Sequence, residues 1–225
     1  MPLTHEAPTH PDGRGKSPGP TTLDLYWIPL GAGAKVVQTS GRAYEALVAF
    51  AQHRPRRPLF HSALIAKTDQ GRYFVEMTPI PQAGTFEDRG VVGEGAVGSR
   101  MLGRFRIFRY ELRRWLDGTI PDLPYAVDSP VQITEDVAVI TDVLALLAEV
   151  PRPVWGRDEL RAGEMWNSNS VVSWVLERAG VLEMAGAPPR NGRAPGWDAG
   201  VVVARRRSLS EDPFVPERAA VGGAP

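Results

Sequence analysis

A histidine and a glutamate lie in two neighbouring apolar segments in the first half of the chain. His61 is within Leu59–Ile65 and Glu76 is within Phe74–Pro79. A buried imidazole must be paired to offset its lost hydration, and an imidazole held by a carboxylate is suited to general base catalysis. If the two segments pair with residue numbers that add to an odd value such as 137 or 139, His61 and Glu76 share one face. An even value places them on opposite faces, and the sequence leaves this parity open.

A polar run near the end of the chain supplies a candidate nucleophile. Asn167, Ser168, Asn169 and Ser170 stand immediately before an apolar helical pattern. The first N–H groups of a helix are unpaired and favour negative charge, so Ser168 there gains an adjacent oxyanion site. Asn167, Asn169 and Ser170 are the further candidates for oxyanion or ligand binding. The alternative is simple N-capping, which accounts well for one or two of the four residues.

Periodicity predicts the elements that position these residues. We expect a strand over Leu23–Leu30, a helix over Ser40–His53, a hairpin of Leu59–Ala66 with Arg72–Thr78, strands at Val91-Val92 and Arg104–Leu112, helices over Thr134–Val150 and Asn167–Ala179, and a last strand over Val201–Ala204. Gly180 fits the position after a helix end. Strands and helices do not alternate regularly, which favours an α+β fold with an antiparallel sheet and packed helices.

The order of these segments resembles that of circularly permuted papain-like proteins, such as the lecithin retinol acyltransferase-like and bacterial cell-wall amidase-like groups. Phe60–Leu64 looks like the histidine strand of that superfamily, and Val75–Pro79 looks like the strand whose polar residue orients the histidine. Asn167–Val171 looks like the start of the nucleophile helix, with Ser168 in the position of the cysteine. The resemblance implies a permuted papain-like architecture and amide, ester or thioester chemistry through an acyl-enzyme.

Serine in place of cysteine leaves two functions open. A hydroxyl is a weak nucleophile without a base, and the resemblance implies that His61, oriented by Glu76, supplies one. The first hypothesis is therefore a hydrolase or acyltransferase with a Ser168–His61–Glu76 arrangement. The second is a catalytically inactive module of the same fold that binds a small acyl or peptide ligand.

Two glycine-rich segments have competing interpretations. Gly93–Gly98 fits G-x-G-x-x-G, but no helix opens after it to hold a phosphate, so we predict a flexible glycine loop. Residues 188–200 are rich in Pro and Gly and predict a loop carrying Trp197 and Asp198. This loop either lines a pocket or is a surface connection in which Trp197 covers the edge of the core.

An arginine-rich segment also has two interpretations. Its basic residues are interleaved with aromatic ones: Arg100, Arg104, Arg106, Arg109, Arg113, Arg114, Phe105, Phe108, Tyr110 and Trp115. One interpretation is an anion or single-stranded nucleic-acid binder. The other is a half-exposed strand whose arginines face water and acidic neighbours.

Composition limits the classes of function. The 225 residues predict one domain over residues 22–206, between disordered tails at 1–21 and 207–225. Without cysteine the chain has no disulfide and no thiolate, and its four histidines are scattered, so we expect no metal and no cofactor. Lysine plus arginine equals aspartate plus glutamate at 26 each, which argues against nucleic acid as a partner. With no secretory signal and no apolar stretch of spanning length, we expect a soluble cytoplasmic protein that acts on a small molecule or peptide and has no membrane partner.

Overall fold

The structure is a computed structural model that describes residues 19–30, 53, 55–80 and 89–211. The strands are β1 (Thr22–Pro29), β2 (Phe60–Thr68), β3 (Gly71–Pro79), β4 (Val91–Ala96), β5 (Arg109–Leu116) and β6 (Val131–Thr134). They form one six-stranded sheet in the order β4-β5-β3-β2-β1-β6, and every neighbouring pair is antiparallel. The α-helices are α1 (Val137–Leu146), α2 (Ser168–Arg178) and α3 (Trp197–Glu211). The predicted α+β class with an antiparallel sheet and packed helices is confirmed. Apart from His53, the predicted helix at Ser40–His53 lies outside the described residues.

The β2–β3 hairpin has the odd register on which the site depends. The residue numbers of each pair add to 139, as in Leu64 with Val75 and Ile65 with Phe74. Side chains alternate along a strand, so His61 and Glu76 lie on the same face of the sheet. Ser62 lies on the opposite face, which is the face that α2 covers.

The two faces of the sheet are covered differently. The larger core lies between one face and the helices, with Leu64, Val75 and Trp27 packed near Trp174 and Val143. The smaller core lies on the other face, where Ile28, Ala63, Ile65 and Phe74 pack against Ile120 from the β5–β6 connection. His61 and Glu76 belong to this second face.

Helix α2 begins and ends where its sequence predicts. Asn167 is its N-cap and forms a capping box with Ser170, which satisfies the N–H groups of Asn167, Asn169 and Ser170. At its other end Gly180 has a φ of +71°, and the Val181 N–H donates to the Leu176 carbonyl at 2.9 Å. This is a Schellman ending, which requires the left-handed backbone that glycine adopts freely.

The predicted strand over Val201–Ala204 is wrong, because these residues belong to α3. The three consecutive valines favour a strand by local propensity, but packing against α2 decides the outcome. Gly200 makes that packing close, since a Cβ there would lie 2.1 Å from the Ser170 carbonyl oxygen. Helix α3 also continues to Glu211, past the predicted domain end at residue 206.

Two other local predictions need correction. The segment over Gly93–Gly98 was expected to be a flexible loop, but most of it is in β4. Two of its glycines allow close packing, since a Cβ on Gly95 would lie 2.4 Å from the Tyr110 ring and one on Gly93 would lie 2.6 Å from the Arg152 Nε. The strand predicted from Arg104 begins only at Arg109, because the preceding residues form two short 3-10 turns.

Candidate functional site

A cavity of about 260 Å³ lies at the end of the β2–β3 hairpin that is remote from its turn. The three residues predicted to carry catalysis, Ser168, His61 and Glu76, all line it. The apolar part of the lining includes Leu30, Ala63, Met77, Pro79, Ile120, Pro121 and Trp155. Residues that are 107 positions apart in the sequence are thus brought to one apolar pocket.

Ser168 occupies the first helical position of α2 and is half-buried. Its hydroxyl makes no hydrogen bond to any described residue, and its backbone N–H has no acceptor there. The next two N–H groups are already occupied, because Asn169 and Ser170 donate to the Asn167 Oδ1 at 2.8 and 3.4 Å. Of the backbone N–H groups in this turn, that of Ser168 therefore remains available to donate to an oxyanion.

The other polar residues of this turn hold the structure together. The Asn169 amide donates to the carbonyls of Phe60 and Pro195 and accepts from the Ser62 hydroxyl at 2.9 Å. Ser170 donates to the Gly196 carbonyl at 2.7 Å. The Asn167 amide donates to the Pro195 carbonyl at 2.8 Å. The side chains of Asn167, Asn169 and Ser170 therefore all bond within the protein. They cap the helix and also connect it to more distant segments.

The environment of His61 favours its neutral imidazole. Burial lowers the pKa of His61 from its ordinary value of 6.5, and the carboxylate of Asp122 offsets part of that effect. Within the described part of the chain, the His61 ring makes no hydrogen bond, either to Ser168 or to Glu76. The neutral form retains the lone pair that a general base needs.

Glu76 is paired with Arg113 and not with His61. The Arg113 Nη1 donates to the Glu76 Oε1 at 3.2 Å, and its Nε donates to the Glu111 Oε2 at 2.9 Å. Arg89 also pairs with Glu111, at 2.8 Å, so the four side chains form a chain of alternating charge. Burial raises the pKa of Glu76 above its ordinary value, and Arg113 opposes this effect. The side chain that was predicted to orient His61 is thus held in a network on β3 and β5.

Asp122 is a member of the site that the sequence did not indicate. It lines the cavity, is half-buried, and its carboxylate makes no hydrogen bond or ion pair within the described residues. It is also the charged group that acts on the pKa of His61. The local signal, Ile120-Pro121-Asp122, is only that of a turn, so nothing in the sequence connects Asp122 with His61.

Trp197 and Asp198 lie away from this cavity. Trp197 packs against Trp27, with ring centroids 5.0 Å apart, and so covers the core edge. Asp198 is exposed in the first turn of α3. Neither residue is among those that line the cavity.

Three arginines of the arginine-rich segment, Arg100, Arg109 and Arg113, pair with carboxylates. Arg100 forms two hydrogen bonds to Glu159, at 2.8 and 3.0 Å. Arg109 pairs with Glu94, and Arg114 donates to the Leu144 carbonyl. This arrangement corresponds to the interpretation of a half-exposed strand with acidic neighbours.

No family model, curated protein or solved structure matches this chain. Within the described residues, no helix combines the length and the apolar character that crossing a membrane requires.

Proposed function

We propose that the protein is a hydrolase or acyltransferase that uses Ser168 as nucleophile and His61 as general base. The observation that supports this proposal is the convergence of Ser168, at a helix N-terminus, and His61 on one cavity with a largely apolar lining. Burial favours the neutral form of His61, which is the form a general base needs. A hydroxyl, a base and a free backbone N–H are the parts that acyl transfer needs.

The chemistry proceeds in two steps. The Ser168 Oγ attacks the carbonyl carbon of an amide, ester or thioester while its proton passes to the His61 ring. The oxyanion accepts a hydrogen bond from the Ser168 N–H, and the leaving group departs with the proton from His61. Water or a second acceptor then attacks the acyl-serine, which releases the acyl group and restores the hydroxyl.

The carboxylate that assists His61 is Asp122 in this proposal, and it replaces Glu76 in that role. Asp122 stabilises the imidazolium that forms when His61 accepts the proton, since an opposite charge nearby favours the charged form. Glu76, held by Arg113, shapes the cavity wall. The Ser168–His61 hydrogen bond forms when the substrate is bound, because such bonds are often long in empty sites.

The second candidate function is ligand binding without catalysis. Two observations favour it: no hydrogen bond joins Ser168 to His61, and Glu76 is committed to Arg113. In this case the cavity holds a small acyl or peptide group, and Ser168 only contacts it.

Covalent labelling distinguishes the two functions. The full-length protein is incubated with a small fluorophosphonate, and the modified peptide is identified by mass spectrometry. We expect labelling at Ser168 that is lost in Ser168→Ala and reduced about a hundredfold or more in His61→Gln. Ser208, also a serine on a helix, serves as the matched control through Ser208→Ala. No labelling of Ser168, or labelling that is independent of His61, would leave the binding module as the function.

A further inference from the structure

The connection between β4 and β5 exposes an unusual amount of apolar surface. Met101, Leu102, Phe105 and Ile107 are 73, 38, 49 and 58% exposed. Leu102 and Ile107 lie on the two short 3-10 turns, Leu102–Arg104 and Arg106–Phe108, and Met101 and Phe105 flank these turns. Single exposed apolar residues are common, but four within seven positions indicate an interaction surface.

The same connection is basic. Residues 95–110 contain four arginines and no aspartate or glutamate. The Arg104 guanidinium lies over the Phe105 ring, 4.9 Å from its centroid. This arrangement places a positive charge beside an exposed apolar side chain, as at the boundary between a polar and an apolar phase.

An arginine-lined cavity of about 430 Å³ adjoins the exposed apolar residues. Arg100, Arg109 and Arg152 line it together with Gly95 and Gly103, and no carboxylate residue is part of its lining. The arginines also bond elsewhere: Arg100 to Glu159, Arg109 to Glu94, and Arg152 to the carbonyls of Val92 and Ala148. Each guanidinium has five donors in a fork that fits phosphate oxygens, so donors remain for an anion.

We propose that residues 97–108 dock the protein on an anionic phospholipid surface, with the apolar side chains among the acyl chains and the arginines at the phosphates. A fluid apolar phase accepts four side chains on irregular turns, whereas a protein partner must supply a shaped pocket for them. Three of the four are aliphatic and Arg104 covers the Phe105 ring, which disfavours stacking with nucleic-acid bases. Such docking needs no spanning helix, and it departs from the expectation of no membrane partner, which depended on segment length.

The docking segment and the candidate site lie at the same end of the sheet. The segment leaves β4 after Ala96 and enters β5 at Arg109, next to the Pro79–Tyr110 pair that ends β3. Val97 forms a bridge with Trp155, which also lines the candidate cavity. Docking therefore brings the cavity close to the lipid surface, although the proposal does not depend on catalysis.

Vesicle co-sedimentation of the full-length protein tests the proposal. We expect binding to vesicles of mixed phosphatidylcholine and phosphatidylglycerol, little binding to phosphatidylcholine alone, and weakening by salt. Phe105→Ser with Ile107→Ser, and separately Arg104→Gln with Arg106→Gln, should each weaken binding on the order of tenfold. The matched controls are Met184→Ser with Leu209→Ser and Arg56→Gln with Arg190→Gln, which alter exposed residues outside the segment and should bind like the wild type.

Three outcomes would overturn the proposal. The first is absence of binding to anionic vesicles, or equal loss in the control variants. The second is binding to soluble glycerol phosphate that is as tight as vesicle binding and is unaffected by the Phe105 and Ile107 changes, which would indicate a simple phosphate site. The third is tighter binding to a single-stranded oligonucleotide than to vesicles, with loss in the same variants. Because all substituted side chains are exposed, thermal melts should confirm that each variant folds.

Discussion

His61 is the residue whose charge state connects the stability of the protein with its proposed chemistry. Its pKa in the folded protein is below the ordinary 6.5 because burial disfavours the imidazolium, and Asp122 offsets only part of this effect. The neutral ring is thus the form that the fold favours. Adding a proton to it must cost stability.

The pH dependence of stability should report this cost. Below pH 6.5 the unfolded state takes up a proton that the folded His61 resists, so the free energy of unfolding falls as pH drops toward the lowered pKa. Above pH 6.5 both states are neutral and His61 contributes no slope. We expect urea unfolding at pH 7.5 and 5.5 to show a smaller loss for His61→Gln than for the wild type.

His53→Gln is the control for this measurement. His53 is exposed, so its replacement should leave the wild-type loss unchanged. The raised pKa of Glu76 increases the free energy of unfolding as pH falls, which is opposite to the effect of His61. Subtracting the pH-dependent loss of His61→Gln from that of the wild type removes this contribution, because both proteins contain Glu76. Equal pH dependence in the wild type and His61→Gln would contradict the assigned shift.

At the scale of elements, the N-terminus of α2 is anchored on two sides by one buried amide. Asn169 is 2% exposed and connects α2 to β2 through Phe60 and Ser62, and to the segment before α3 through Pro195. All of these partners are buried or half-buried, so they cannot be satisfied by bulk water when the amide is removed.

Asn169→Ala should destabilise the protein by about 3 kcal/mol, because it leaves several buried polar groups without partners. Urea unfolding measures the difference. Asn167→Ala is the comparison, with an expected loss of about 1–2 kcal/mol for an N-cap residue. If Asn169→Ala costs no more than Asn167→Ala, the amide does not anchor the helix.

The sequence predicted this region well where the signal was local and poorly where it was tertiary. The capping pattern at Asn167 and the glycine at position 180 lie next to the helix that they delimit, so both ends of α2 were predicted. The roles of Asn169 and Ser170 depend on carbonyls about 26 residues away, which no local pattern reveals. For the same reason residues 201–204 of α3 were predicted as a strand and residues 197–200 as part of a loop, since the helix packs closely on α2 at Gly200.

The candidate site shows the same division. His61, Glu76 and Ser168 were selected from residue types in apolar surroundings, and all three line the cavity. The pairing of Glu76 with Arg113 required the β3–β5 register, and Asp122 required the path of the β5–β6 connection. Neither the Glu76–Arg113 pair nor the position of Asp122 follows from the spacing of nearby residues in the sequence.

At the scale of the whole molecule, the site lies between the two layers that pack on the sheet. The helices pack on one face, and the β5–β6 connection packs on the other. Ser168 comes from the helical side, and His61, Glu76 and Asp122 come from the side covered by the β5–β6 connection. Ile120 fixes that connection to the smaller core, where it is 6% exposed. The position of Asp122 thus depends on a small core that is separate from the main one.

Ile120→Ala and Ile140→Ala should separate stability from site geometry. Both remove a buried side chain and should cost about 2–4 kcal/mol in urea unfolding. Ile140 belongs to the larger core and is not part of the cavity lining. At a temperature where both variants are folded, only Ile120→Ala should slow fluorophosphonate labelling of Ser168. Equal labelling rates would show that the smaller core does not position the site.

The dependence of α2 on residues 195–197 also sets the order in which this protein can mature on the ribosome. The β2–β3 hairpin precedes α2 in the chain and has local contacts, so it can form before α2 has emerged. The polar turn at Asn167–Ser170 bonds to the carbonyls of Pro195 and Gly196, and Ser173 bonds to that of Trp197. A nascent chain that has not yet released this segment from the exit tunnel lacks the partners that hold the first turns of α2 in place. The candidate site therefore reaches its final geometry only after residues 195–197 have emerged, later than the hairpin that carries His61 and Glu76.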